Sequence, residues 1–140
     1  MGGNYHDITA PFPGKLYNWI DNAKVENQLK FLVLTLEHII RLMESRESSM
    51  NAVQWNQNTL QHFLAGLSRQ SSELKECVAQ YPSRKESYER KIKSHFRKLD
   101  KILKKEKYSA QAWEKIRRAV KHHLQRMDII ASNAMSFLKV

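Results

Sequence analysis

The chain has 140 residues, of which 41% are hydrophobic, and a formal net charge of +10. Four Gly and three Pro are too few for a many-turned β fold, and a single cysteine, Cys77, excludes an intrachain disulfide. The longest apolar run, Phe31–Leu36, is interrupted by Thr35 and is far too short to cross a bilayer, and the first residues lack the basic start and apolar run of a signal peptide.

Residues 1–22 read as a loop. MGGNYHDITAPFPG is dense in Gly, Pro and Asp, and Pro11 and Pro13 forbid a helix there. The first helix is expected over residues 23–46, with Asp21 or Asn22 as its cap. Val25, Leu29, Leu32, Val33, Leu36, Ile40 and Met43 follow helical spacing, while Phe31, Leu34, Ile39 and Leu42 form a second stripe. A helix apolar on two sides needs two coverings.

A second helix is expected over residues 52–81, capped by Asn51 and weakened near residue 70 by Gly66 and the Ser71-Ser72 pair. Tyr81-Pro82 ends it. The third, over residues 84–107, has Ser83 and Glu86 at capping-box spacing and a stripe of Tyr88, Ile92, Phe96, Leu99, Ile102 and Leu103. The fourth runs over residues 110–134, capped by Ser109, with Trp113, Ile116, Val120, Leu124 and Met127 inward; the tail after it is expected to fray. These four helices predict an all-α bundle, with Phe63 and Trp113 as core anchors.

Charge is unevenly placed. Residues 1–83 carry seven Lys and Arg against eight Asp and Glu, whereas residues 84–107 carry eleven against four and residues 108–140 carry six against two. This field steers acidic partners to the C-terminal half. No phosphate loop, HExxH or GxSxG motif occurs, so neither an enzyme nor a cofactor is expected. His122 and His123 are neighbours and point about 100° apart on a helix, a poor arrangement for a metal; His62 and His95 read as ordinary helix-face residues. No nucleic-acid-binding motif accompanies the basic helices, and every apolar stripe is needed for the core, so membrane insertion is not expected. Contact with protein is the remaining reading; a basic nucleic-acid-binding helical protein is the weaker alternative.

Three blocks carry a family likeness. KEKYSAQAWEKIRRAV, from Lys105 through Tyr108-Ser109, Ala112-Trp113-Glu114 and Arg117, resembles the late signature of type I interferons. TLQHFLAGLSRQSSELKECV, Thr59–Val78, is similar to that family's third helix. PFPGKLYNWIDNAKVENQLKFLVLTLEHIIRLM resembles the family's virus-induced fish members. The resemblance implies a five-helix class II helical cytokine, secreted and antiviral, that bridges two receptor chains to trigger JAK-STAT signalling.

It also implies departures. The family begins with a helix that has no counterpart here, and residues 1–22 match the loop after it. The family's cysteine at the place of Cys77 pairs with one near the mature N-terminus, and that partner is missing. Gln111 stands where many mammalian members carry another cysteine. A missing bond of this kind costs about 2–4 kcal/mol. Without a first helix an apolar groove would be uncovered. Three readings stay open: a homodimer through that groove, a first helix lying outside this sequence, or a shortened, non-secreted or non-signalling form.

By the same resemblance one receptor chain is met by the loop around Lys15 and by Arg117, Arg118, Lys121 and Gln125 of the last helix. The other is met by Glu37 and Arg41, by Gln57 and Gln61, and by Arg97 and Lys101.

Overall fold

The computed structural model describes residues 10–44 and 57–138. Among the described residues the chain forms five helices and no strand: α1 (Gly14–Asp21), α2 (Val25–Glu44), α3 (Gln57–Val78), α4 (Ser87–Lys105) and α5 (Ala110–Leu138). The expected all-α bundle is what these residues build. The cap at Asn51 lies outside the described residues.

The short helix α1 corrects the reading of residues 1–22 as loop. Pro13 is its N-cap, and the Pro13 carbonyl accepts the Tyr17 N–H at 3.1 Å. A proline obstructs helix on its N-terminal side, but it opens a helix at little cost because the first turn's N–H groups lack helical partners anyway. Leu16, Tyr17 and Ile20 then fall on one face and are buried. Helix α2 caps the end of α1 from outside: Gln28 Nε2 donates to the carbonyls of Ile20 at 3.1 Å and Asp21 at 3.2 Å. Neither Asp21 nor Asn22 is the cap of α2. The helix begins later, with the Gln28 N–H donating to the Lys24 carbonyl at 3.0 Å.

Helix α2 is the centre of the bundle and packs against α1, α3, α4 and α5. Both its stripes are covered. Phe31, Ile39 and Leu42 of the second stripe are as buried as Leu29, Leu32 and Leu36 of the first. Helices α1, α3, α4 and α5 together supply the two coverings that the stripes of α2 need.

Helix α3 runs unbroken through Gly66 and Ser71, and Ser71 is buried. Lys30 then fastens the link that follows: its Nζ donates to Glu26 Oε2 at 2.8 Å and to the Pro82 carbonyl at 2.7 Å. Helix α4 starts three residues later than expected, and its capping box is made by Glu86 and Glu89 in place of Ser83 and Glu86; the Glu86 N–H donates to Glu89 Oε2 at 2.7 Å.

The turn into α5 is tight. Lys107 and Tyr108 take left-handed backbone angles, φ 54° and 57°, and the Tyr108 N–H reaches back to the Leu103 carbonyl at 2.8 Å. Ser109 caps α5 as expected, its Oγ accepting the Ala112 N–H at 3.1 Å. The helix continues past residue 134 to Leu138. Trp113 is fully buried, whereas Phe63 is half-buried at the edge of the core and is not the anchor expected.

Candidate functional site

The first candidate surface is built where α1 lies against α5. The two are joined at the surface by Arg126, whose Nη2 donates to Asp21 Oδ2 at 2.6 Å and to Asn18 Oδ1 at 3.4 Å while its guanidinium sits 5.4 Å from the centre of the Tyr17 ring. The pair is only partly exposed, so solvent screens it less than an open ion pair. Phe12 adds an aromatic column. Its ring stacks on His122 at 3.5 Å and on Tyr17 at 5.1 Å between centroids.

Beneath this surface runs a buried polar chain. The Tyr17 hydroxyl lies 2.6 Å from His123 Nδ1, His123 Nε2 lies 2.8 Å from His95 Nε2, and the other side of His95 bonds the Pro11 carbonyl. The carbonyl fixes the direction of the whole chain. It can only accept, so the His95 ring nitrogen facing it is assigned the hydrogen and His95 Nε2 is assigned bare. His123 Nε2–H therefore donates to His95, and Tyr17 donates its hydroxyl hydrogen to His123 Nδ1. Every member is then satisfied and neutral. Burial, and then the Lys98 charge, lowers His95 to about 4; burial, and then His95 and His122, lowers His123 to about 3. Burial also pushes the Tyr17 hydroxyl well above its usual range. An added proton would set N–H against N–H at the histidine contact.

Of the residues expected on this surface, Lys15 is exposed on α1, and Arg117, Arg118, Lys121 and Gln125 are exposed on α5. Arg118, Lys121 and Gln125 follow three-and-four spacing on the outward side of α5. Arg117 Nη2 and Arg118 Nε share Glu114, at 3.1 and 3.5 Å. That hydrogen bond from Arg117 holds the Glu114 carboxyl below its usual range.

The second surface spans α2, α3 and α4. Glu37 is half-buried and pairs with Lys75 at 2.8 Å, Arg41 is exposed, and Gln61 lines a shallow depression with Glu44, Leu64 and Ser68. Arg97 and Lys101 are exposed on α4. The side chain of Gln57 lies outside the described residues. His38 links α2 to α4: it stacks on Phe96 at 5.2 Å, and burial, followed by Arg41, lowers its pKa. The candidates thus lie outward on separate helices, with α2 joined to α3 by the Glu37–Lys75 pair and to α4 by the His38–Phe96 stack.

Sequence reading missed Asn18, Trp19, His122 and Arg126. Trp19 is 51% exposed beside Tyr88, and Ile129 on α5 is equally exposed. Its expectation for His95 also needs correction, because that residue is buried in the polar chain. A signal was present. His123 falls three residues after Val120 and four before Met127, which completes the inward stripe of α5.

Comparison with known proteins agrees with this architecture. The interferon alpha/beta domain family matches residues 6–134. Interferon a3 of Oncorhynchus mykiss is 43% identical over 135 residues, covering 94% of this chain and 73% of that protein. The structure of zebrafish interferon 1 is 65% identical and superimposes with a TM-score of 0.84, covering 96% of this chain and 86% of that one. Proteins of this family are secreted, non-enzymatic signalling proteins that bind cytokine receptor chains. The chain therefore belongs to the interferon alpha/beta family and groups with the type I interferon cytokines of fish.

Proposed function

We propose that this chain acts outside cells as an antiviral cytokine that bridges two class II cytokine receptor chains and so starts JAK-STAT signalling and interferon-stimulated transcription. One chain docks on the α1–α5 surface through Lys15, Arg117, Arg118, Lys121 and Gln125. The other docks on the α2–α3–α4 surface through Glu37, Arg41, Gln57, Gln61, Arg97 and Lys101.

The observation that carries this reading is the Arg126–Asp21 contact at 2.6 Å, above the buried Tyr17–His123 bond. It holds α1 against α5, which supports reading Lys15 and the outer residues of α5 as one preorganised surface that needs little loop ordering on binding. Exposed cations there hasten encounter with an acidic receptor face. A single copy of the chain suffices for this reading.

The test is an interferon-responsive reporter in fish cells treated with the purified protein. The wild type activates it from outside the cell, and Arg118→Ala with Lys121→Ala shifts the response to higher concentrations. A dose response unchanged by the double substitution removes those residues from the interface.

A further inference from the structure

The outer face of α4 carries more positive charge than the two residues, Arg97 and Lys101, that the receptor reading uses. Arg90, Arg97, Lys101 and Lys105 recur at seven- and four-residue spacing, and Lys91 and Lys98 run along one flank. All six are exposed. The opposite face is pinned inward by buried Tyr88, Ile92, Leu99 and Leu103, so the cations cannot turn away from solvent. At the helical rise the row extends about 22 Å.

None of the six makes an ion pair among the described residues. Asp100, at the edge of the row, is committed to Lys104 at 3.0 Å. Like charges one turn apart repel, so this face disfavours its own helix unless a polyanion lies along it.

We infer that the outer face of α4 is a docking ridge for a sulfated glycosaminoglycan chain. Three features favour this occupant over other polyanions. The exposed large hydrophobic residues Trp19, Ile129 and Met135 all lie on other helices. The ridge therefore offers no aromatic platform for unstacked bases and no apolar wedge for a lipid surface. It is one helix wide, which suits a flexible linear chain carrying sulfates along its length. Proteins of this family are secreted, and sulfated glycans are the linear polyanions that a secreted protein meets at cell surfaces. Arg97 and Lys101 would serve both this ridge and the second receptor surface, so glycan and that receptor chain compete, while the α1–α5 surface stays open.

The test uses the full chain and immobilised heparin at about 0.15 M salt. A ridge variant, Arg90→Gln with Lys98→Gln and Lys105→Gln, is compared with Lys24→Gln, Arg69→Gln and Lys85→Gln, which removes the same charge from other elements. Circular dichroism checks that both remain helical. The ridge variant is expected to bind heparin at least about tenfold more weakly and to lower the salt slope by roughly three, as for lost contacts on any linear polyanion. The off-ridge variant stays within about twofold of wild type. Equal losses in both variants overturn the proposal, as does wild-type binding to unsulfated hyaluronan that matches heparin. Tighter binding to duplex DNA or to phosphatidylserine vesicles than to heparin overturns it as well. The readout involves no receptor, so its failure leaves the receptor reading untouched.

Discussion

The Tyr17 hydroxyl lies 2.6 Å from Nδ1 of His123, and that bond joins the short helix α1 to the last helix inside the molecule. It also makes stability depend on pH. His95 and His123 are held at about 4 and about 3 when folded, below the ordinary imidazole value of 6.5 that the unfolded chain retains. Below pH 6.5 the unfolded state takes up protons that the folded state refuses, so stability is complete above that pH and falls as the pH drops toward 4. At pH 5 the loss is about 2 kcal/mol for each histidine. Urea unfolding at pH 7.5 and pH 5.0 measures it. His123→Gln is less stable at pH 7.5 and shows a smaller difference between the two pH values; an undiminished difference would acquit the histidine chain.

Arg126 and Asp21 are coupled across α5 and α1. A double-substitution cycle with alanine at both positions should give a coupling of about 1 kcal/mol, more than a fully exposed pair provides. Thermal unfolding of the four proteins yields the number. A coupling near zero would mean that α1 is held by its buried face alone.

Trp113 and Phe63 separate by burial. Trp113→Ala should cost about 3–5 kcal/mol, because a fully buried ring is lost from the centre of the core. Phe63→Ala should cost about 1–2 kcal/mol, since its ring is already partly in water. Denaturant midpoints rank the two, and an equal ranking would contradict the packing described.

Lys107 stands at φ 54° in the turn before α5, an angle that costs a side chain about 1 kcal/mol. Lys107→Gly should therefore leave stability unchanged or raise it by up to about 1 kcal/mol, whereas the same change at Tyr108, whose ring packs on the core, should lower it. Thermal midpoints of the two variants check this.

Much of the fold was legible because long helices repeat their signal. The stripe from Tyr88 to Leu103 and the cap at Ser109 stated the place of α4 and α5 directly. Short-range signals were weaker. Helix α1 has barely two turns, and its two upstream prolines hid a three-residue face of Leu16, Tyr17 and Ile20. The capping box moved by three residues because Ser83 and Glu86 satisfy the same spacing as Glu86 and Glu89. The receptor candidates on α5 could be placed outward by periodicity alone. Arg126 could not be separated from them, because its role depends on Asp21, which lies 105 positions away. The histidine chain was obscured for the same reason: its members come from three elements far apart in sequence.

The central claim is that two separate surfaces each hold one receptor chain. The most direct test is surface plasmon resonance with each receptor ectodomain immobilised alone. Arg118→Ala with Lys121→Ala should slow association with one chain only, and Arg97→Ala with Lys101→Ala should weaken the other only. If both double variants weaken the same chain, or neither weakens any, the two-surface account is wrong.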